Sequence, residues 1–151
     1  MRVIKLNNLK FYIRQSVVGD YWFCYFLSKR DMLPYLVKHW KGWDSQAYKN
    51  GFDKRNVKIV EYKGKRVGFY NLVITGNHAH LNDIQVSRLV RGKGLGTKLL
   101  GLIEQEAKSK GVVKVSLQVF KDNPSKKLYS RLGYKVEKDN SNSLVMEKNI
   151  S

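Results

Sequence analysis

Three glycines at alternating positions, Gly92, Gly94 and Gly96, constrain the fold of this chain more than any other feature. An alternating apolar segment, typical of a strand, ends before them at Val86, and apolar residues at helical spacing follow them. Glycine permits positive φ and lets a ligand approach backbone N–H groups without meeting a Cβ. The first turn of the following helix adds N–H donors at the positive end of its dipole. The sequence therefore predicts a strand, a glycine turn and a helix that form an anion cradle suited to phosphate.

The spacing of the turn excludes two common phosphate-binding motifs. A P-loop needs Gly-Lys-Ser/Thr, whereas the order here is Gly-Thr-Lys. The dinucleotide fingerprint Gly-x-Gly-x-x-Gly, counted from Gly92, needs its third glycine where Thr97 stands. Residues 91–96 instead resemble the Arg/Gln-x-x-Gly-x-Gly/Ala turn of the GNAT superfamily. In these acyl-CoA-dependent N-acetyltransferases, that turn binds the pyrophosphate of coenzyme A.

A second motif strengthens this resemblance. Residues 123–134 read Asn-Pro-Ser-Lys-Lys-Leu-Tyr-Ser-Arg-Leu-Gly-Tyr, similar to the Asn-Pro-x-x-x-Leu-Tyr-x-x-x-Gly-Phe segment of the family, with Tyr134 in place of Phe. The resemblance covers roughly residues 56–148, and the first third of the chain matches loosely. It implies an α/β (α+β) GNAT fold as a single domain over residues 1–151. Such a fold has a mixed, mostly antiparallel sheet of six to seven strands, about four helices, and a splay between its fourth and fifth strands.

The pattern of apolar residues predicts elements that agree with such a fold. The expected strands are residues 10–15, with 3–6 as a candidate extension, 57–62, 66–75, 78–86, 112–120, 134–136 and 144–146. The expected helices are residues 21–27, 32–40, 45–50, the stretch from Leu95 to its stop at Gly111, and 125–132. The strand, helix and strand around the glycine turn predict a parallel strand pair joined by a crossover.

The resemblance also implies where acetyl-CoA binds. The thioester arm is expected along Ile84, Gln85 and Val86, paired with their backbone as an added strand. The diphosphate is expected on the turn, which comprises Arg91, Gly92, Lys93, Gly94, Leu95, Gly96 and Thr97. Arg91 and Lys93 are expected to add mobile positive charge there. Asn123, Lys126 and Tyr129 of the second motif complete the expected site, and no metal is expected.

Acetyl transfer also needs an acid for the departing thiolate and a base for the amine. Tyr129 is the expected acid, because a phenol with a reference pKa of about 10 is protonated at neutral pH. His80 is the preferred base, because imidazole has a reference pKa of about 6.5 and because residues 79–86 resemble the strand that carries catalytic histidines in arylalkylamine N-acetyltransferases. Asp83 is the alternative base, and a water relay is another. Strand alternation puts His80 and Asp83 on opposite faces, so only one should reach the acceptor unless a bulge intervenes.

The segment from Asp20 to Phe52 holds ten of the eighteen aromatic residues. In the family this region forms one wall of the acceptor site, so the rings and Asp44 are candidates to hold the amine. The alternative is that the rings only pack the helices on the sheet.

Gln118 stands where relatives that acetylate protein N-termini often have a glutamate, which argues against a ribosomal-protein N-terminus as substrate.

The net charge of +17, from 29 Lys and Arg against 12 Asp and Glu, favours anionic ligands. Coenzyme A, a lysine-rich surface, and contact with nucleic acid or a ribosome are alternative explanations of it. A polycationic substrate would need a local acidic pocket.

The sequence has no apolar run near the ~20 residues of a membrane span and no signal-peptide core at its N-terminus. We expect a cytoplasmic protein without membrane contact. The sequence does not decide between a monomer and a homodimer.

These features predict an acetyl-CoA-dependent N-acetyltransferase. It would transfer the acetyl group to a primary amine of a small molecule or peptide, by direct attack in a ternary complex. Cys24 lies outside both motifs and is expected to be a buried hydrophobe, so no acyl-enzyme is expected. The alternative is a basic nucleic-acid- or ribosome-associated module with a GNAT-like fold and little catalysis.

Overall fold

The computed structural model describes residues 2–151, which form eight strands and four α-helices. The strands are β1 (Arg2–Leu6), β2 (Leu9–Gln15), β3 (Val57–Tyr62), β4 (Lys65–Thr75), β5 (His78–Val86), β6 (Lys114–Phe120), β7 (Lys135–Asp139) and β8 (Ser143–Asn149). The helices are α1 (Tyr21–His39), α2 (Ser45–Asn50), α3 (Leu95–Ser109) and α4 (Ser125–Arg131). None of these helices is long and apolar enough to cross a bilayer.

The strands form one sheet in the order β1-β2-β3-β4-β5-β6-β8-β7. The pairs β1–β2, β2–β3, β3–β4, β6–β8 and β7–β8 are antiparallel, while β5 and β6 are parallel. Helix α3 connects this parallel pair, so the predicted crossover is confirmed. The mixed, mostly antiparallel sheet with four helices agrees with the expected fold.

The N-terminal segment adds a strand to the expected six or seven. Strands β1 and β2 form a hairpin that pairs Arg2 with Ile13 and Leu6 with Leu9. Its turn places Asn7 at a φ of 55°, in the left-handed region that asparagine tolerates better than most residues. Because of this extra strand, the strands expected to splay are the fifth and sixth of this sheet.

Helix α1 is continuous, whereas the sequence predicted two helices over residues 21–27 and 32–40. That prediction was wrong because Pro34 was placed in a first turn, although it lies inside the 19-residue helix. Proline removes the N–H that would bond the carbonyl of Arg30. Arg30 and Pro34 are both exposed, so water can hydrate this carbonyl. Ser28, between the two predicted helices, is buried and stabilises the helix through a side-chain contact described below.

The described chain divides into two compact units. The first comprises residues up to Asn71 together with Asp83–Leu95, and its core includes Cys24, Leu27, Val57, Ile59 and Phe69. The second comprises Leu72–Asn82 and Gly96–Ser151. In this unit α3 buries Leu99, Ile103 and Ala107, as its apolar stripe predicts.

Candidate active site

The glycine turn has the conformation that its sequence predicts. Gly92 and Gly94 have φ values of +74° and +81°, and α3 begins at Leu95. A Cβ built on either glycine meets no heavy atom within 4 Å, so the backbone is open to a ligand on that side. Gly96 and Thr97 lie in the first turn of α3, where N–H groups lack intrahelical partners. The strand, glycine turn and helix are confirmed.

Arg91 makes two hydrogen bonds at the start of this turn. Its Nη2 donates a hydrogen bond to Asp31 Oδ2 at 2.6 Å, and its Nε donates to the carbonyl oxygen of Val86 at 2.9 Å. Arg91 therefore contacts both α1 and the end of β5, and its mobility stays a prediction. Arg91 and Lys93 are both exposed.

The end of β5 presents its backbone in alternate directions. The carbonyl oxygen of Gln85 lies 2.8 Å from a Cβ built on Gly68, so this carbonyl faces β4. Because peptide groups alternate along a strand, the carbonyls of Ile84 and Val86 face the other way. The parallel ladder of β5 with β6 ends where Leu81 lies opposite Leu117, whereas β5 continues to Val86. The ladder thus ends where the splay was expected.

His80 lies in a small cluster in the second unit. Its Nδ1 is 2.8 Å from Ser116 Oγ, and Nε2 of His78 is 2.9 Å from the same oxygen. Serine has one hydroxyl proton, so it can donate to only one of the two rings. Burial lowers the pKa of His80, and the nearby His78 lowers it further. His80 is therefore neutral at pH 7, but one of its ring nitrogens is engaged by Ser116.

Asp83 contacts α1 in the first unit. Its Oδ2 accepts a hydrogen bond from Ser28 Oγ at 2.8 Å, and its Oδ1 accepts one from Gln85 Nε2 at 2.9 Å. Burial raises the pKa of Asp83 to about 6, against the lowering effect of these two hydrogen bonds. The charge of Asp31 raises it slightly further. Asp83 thus titrates close to neutrality, in the range that suits a general base.

An aromatic wall is formed by α1, α2 and the segments that follow them, in the same unit. Its neighbouring rings have centroids 5.0 to 6.1 Å apart and belong to Tyr21, Tyr25, Trp43, Tyr48 and Phe52. Burial raises the pKa of Tyr48, and the negative charge of Asp83 raises it further. The Tyr48 hydroxyl therefore stays protonated within electrostatic reach of the candidate base.

Asp44 has a different role from the one suggested by its place among the aromatic residues. Its Oδ1 accepts hydrogen bonds from the backbone N–H groups of Gln46 and Ala47, at 3.1 and 3.0 Å. It therefore caps the N-terminus of α2. Its Oδ1 is thus already engaged by the backbone of α2.

Two polar atoms of the first unit are buried without a hydrogen-bond partner among the described residues, Tyr48 Oη and Asn71 Oδ1. Asn71 Nδ2 donates to the carbonyl oxygen of Gly51 at 3.3 Å, which orients the amide. Most buried polar groups in native proteins are paired, so each of these atoms needs an explanation. Sequence reasoning missed both residues. The aromatic-rich segment was the only signal for Tyr48, and Asn71 belongs to neither motif.

The second motif surrounds α4 in the second unit. Tyr129 is 8% exposed, and its ring lies 6.1 Å from that of Tyr134 at an angle of 64°. Asn123 Oδ1 accepts a hydrogen bond from the backbone N–H of Ser125 at 2.9 Å, which stabilises the start of α4. Lys126 in the first turn of α4 is partly buried. The roles of these residues toward acetyl-CoA stay predictions.

Two further expectations concern Gln118 and Cys24. Gln118 Nε2 donates to Ser143 Oγ at 2.8 Å, so its amide is engaged across the β6–β8 pair.

Cys24 is fully buried, and burial raises the pKa of its thiol to about 12. Its expected burial is confirmed, and a thiol with this pKa is a poor nucleophile at neutral pH. Within residues 2–151, no group of three His, Cys, Asp or Glu side chains is arranged to hold a metal ion.

The chain is similar to several known proteins. The model of the acetyltransferase (GNAT) family matches residues 15–134. The [ribosomal protein bS18]-alanine N-acetyltransferase of Haemophilus influenzae is 30% identical over 98 residues, which are 64% of this chain and 66% of that protein. The match thus spans slightly less than two thirds of this relative's length.

Solved structures show the same fold. The PaiA N-acetyltransferase of Thermoplasma acidophilum, in complex with coenzyme A, has a TM-score of 0.74 and 19% identity, over 92% of this chain and 98% of that one. The ribosomal-protein-S18-alanine N-acetyltransferase of Escherichia coli has a TM-score of 0.75 and 21% identity, over 93% and 94% of the two chains. These likenesses cover nearly the full length of both solved chains.

Proposed function

The chain belongs to the acetyltransferase (GNAT) family, and we propose that it transfers the acetyl group of acetyl-CoA to a primary amine by direct attack in a ternary complex. The observation that carries this proposal is the glycine turn, with Gly92 and Gly94 at positive φ immediately before α3. Its open backbone and the adjacent helix N-terminus suit a diphosphate. Acetyl-CoA has such a diphosphate, and its thioester carries the acetyl group.

The proposed contacts with acetyl-CoA follow from the turn and the strand before it. Backbone N–H groups between Gly92 and Thr97 bind the diphosphate, together with the guanidinium of Arg91 and the ammonium of Lys93, which are both exposed. The peptide groups of Ile84 and Val86, which face away from β4, bind the amides of the pantetheine arm. Since the Val86 carbonyl already accepts from Arg91, the carbonyl and N–H of Ile84 are the main partners.

We assign the general base to Asp83 in preference to His80. Asp83 contacts α1, the helix that carries part of the aromatic wall, and its pKa is raised toward neutrality. His80 instead lies with His78 and Ser116 in the second unit. As the amine nitrogen attacks the thioester carbonyl, a C–N bond forms, and the nitrogen gains positive charge. Its N–H becomes acidic enough for a carboxylate of pKa about 6 to accept the proton. His80, neutral at pH 7, is the alternative base.

Tyr129 is the proposed acid for the departing thiolate. When the C–S bond breaks, the hydroxyl of Tyr129 donates its proton to the sulfur, and the phenol regains a proton from solvent. Proton donation from a phenol of pKa about 10 to a thiolate near 8.5 is modestly uphill in water. A positioned hydrogen bond and the positive charge of Lys126 would offset this difference. This assignment depends on the second motif and on the burial of Tyr129.

We propose a small molecule or a peptide as acceptor, and the cytoplasm as the location. Two relatives act on the alanine of a ribosomal protein by their names, but this chain has Gln118 where such enzymes often have a glutamate. The charge of +17 leaves contact with nucleic acid or a ribosome as a second proposal on partners.

The test of this function is release of free CoA thiol when purified protein is mixed with acetyl-CoA and a primary amine. We expect saturable release with wild-type protein and none with Gly94→Glu, because the new carboxylate occupies the diphosphate position and repels it. Gly101→Glu is the matched control, since Gly101 is exposed on α3 and a Cβ there meets no atom within 4 Å. Thiol release by Gly94→Glu at the wild-type rate would reject the proposed role of the turn.

A further inference from the structure

The unpartnered atoms Tyr48 Oη and Asn71 Oδ1 lie in the same part of the first unit. Tyr48 is on α2, and Asn71 binds the carbonyl of Gly51, the residue that directly follows α2. Tyr48 also belongs to the aromatic wall and is within electrostatic reach of Asp83. Two buried groups without partners therefore lie in the unit that carries the aromatic wall and Asp83, and neither belongs to a motif of the family resemblance.

The chemistry of these groups favours a ligand that donates hydrogen bonds. The Asn71 carbonyl oxygen can only accept, the Tyr48 hydroxyl can accept as well as donate, and the Asp83 carboxylate accepts. The side chains that donate hydrogen bonds to Asp83 belong to Ser28 and Gln85, which are both neutral. Faces of aromatic rings attract cations. These groups are thus each complementary to an ammonium or amine group, within a chain whose overall charge is strongly positive.

A negatively charged acceptor would be disfavoured at the same place. A carboxylate a few bonds from the amine would approach Asp83 and the Asn71 oxygen, and like charges at short range repel. Amino acids and other zwitterions carry such a carboxylate, whereas simple alkylamines, polyamines and peptide N-termini do not.

We propose that Tyr48 Oη and Asn71 Oδ1 bind N–H groups of the acceptor, and that the acceptor is a primary amine without a neighbouring carboxylate. This inference rests on the proposed acetyltransferase function and narrows its substrate class. Tyr48 and Asn71 are binding residues here, and Asp83 remains the base. Binding of the acceptor then provides the hydrogen bonds that the two atoms lack.

The substrate class is tested with n-butylamine and γ-aminobutyrate, which have chains of equal length and differ by one carboxylate. The rate of CoA thiol release is measured at several concentrations of each amine, with acetyl-CoA at saturation. We expect kcat/KM for butylamine to exceed that for γ-aminobutyrate by about tenfold or more, because the carboxylate of γ-aminobutyrate is repelled by that of Asp83. An equal value, or a preference for γ-aminobutyrate, would overturn the proposed class.

The binding residues are tested with Tyr48→Phe, which removes the unpartnered hydroxyl and keeps the ring. We expect KM for butylamine to rise about tenfold, which corresponds to one lost hydrogen bond to the acceptor, while acetyl-CoA affinity stays the same. The melting temperature without acceptor should stay equal or rise, because a buried hydroxyl without a partner is removed. A lower melting temperature with unchanged KM would show that the hydroxyl is structural and would overturn the assignment.

Tyr134→Phe is the matched control for this variant. Its buried hydroxyl has a partner, since it donates to Glu104 Oε2 at 3.2 Å, and the family motif has Phe at this position. We expect this change to lower the melting temperature and to leave KM for butylamine unchanged. The opposite responses of the two hydroxyls distinguish a ligand contact from a structural bond.

Failure of the proposed function gives a different result from failure of this inference. If wild-type protein binds acetyl-CoA but releases no thiol with either amine, the acetyltransferase function and the inference both fail. If it acetylates γ-aminobutyrate in preference, or if Tyr48→Phe changes only stability, the function stands and the inference alone is overturned.

Discussion

The carboxylate of Asp31 on α1 accepts a 2.6 Å hydrogen bond from the guanidinium of Arg91 in the glycine turn. The same guanidinium donates to the carbonyl of Val86 at the end of β5. One turn earlier on α1, Ser28 donates to Asp83. Helix α1, which carries part of the aromatic wall, therefore forms hydrogen bonds with a proposed diphosphate-binding residue, Arg91, and with the proposed base, Asp83.

Replacement of Asp31 tests whether its hydrogen bond with Arg91 positions the guanidinium for the diphosphate. We expect Asp31→Asn to raise the acetyl-CoA dissociation constant by about threefold to tenfold, because a less ordered guanidinium loses more freedom on binding. Calorimetric titration measures the change. Asp53→Asn is the control, since it neutralises an exposed partner of Arg55 and should have no effect. Tighter binding by Asp31→Asn would mean that Asp31 competes with the diphosphate for Arg91.

The rate of acetyl transfer should depend on the ionisation of Asp83. With a pKa of about 6, its carboxylate forms as the pH rises through 6, so kcat/KM should rise over this range and level off above it. Asp83→Asn should lower the rate strongly and remove this acidic limb. Because the pKa of His80 is also lowered, the wild-type profile alone does not identify the base. An acidic limb retained in Asp83→Asn and lost in His80→Gln would assign the base to His80.

The raised pKa of Asp83 also predicts an effect on stability. Between about pH 4 and pH 6 the carboxyl keeps its proton in the folded protein, but has lost it in the unfolded chain, where its pKa is near 3.8. The folded state binds more protons, so its free energy of unfolding should fall as the pH rises across this window, by at most about 3 kcal/mol. Urea titrations of wild-type and Asp83→Asn protein measure the difference, which should grow toward pH 6 in favour of the variant. A difference that does not change with pH would contradict the raised pKa.

Removal of the Tyr129 hydroxyl tests the proposed acid. We expect Tyr129→Phe to lower kcat by about 100-fold, the lower range for general acid catalysis, with little change in acetyl-CoA affinity. Stopped-flow measurement of thiol release gives kcat, and titration gives the affinity. An unchanged kcat would show that Tyr129 acts only through the packing of its ring under α4.

Local sequence patterns predicted the parts of this structure that depend on local conformation. Positive φ at Gly92 and Gly94 is such a case, since glycine adopts these angles without strain. The strands from Val57 to Val86 were predicted from alternation, and the burial of Cys24 from its position as a single cysteine outside both motifs. The capping role of Asp44 is also local, but its position among aromatic residues suggested a ligand contact instead.

Contacts between residues far apart in the chain were not predicted. The Asp31–Arg91 pair and the Ser28–Asp83 bond join α1 to residues more than fifty positions later, and no local pattern encodes them. The same contacts explain why α1 continues through Ser28, where local signals predicted an end. Tyr48 and Asn71 become candidates only because the fold buries both polar atoms without partners.

The central claim is that the backbone between Arg91 and Thr97 binds the diphosphate of acetyl-CoA. Calorimetric titration of acetyl-CoA into wild-type, Gly94→Glu and Gly101→Glu proteins tests it most directly. We expect saturable binding with one site per chain for wild-type and Gly101→Glu, and an affinity at least about 100-fold weaker for Gly94→Glu, since both hydrogen bonding and charge become unfavourable. Equal binding by Gly94→Glu and wild-type protein, or no binding by wild-type protein, would contradict the account.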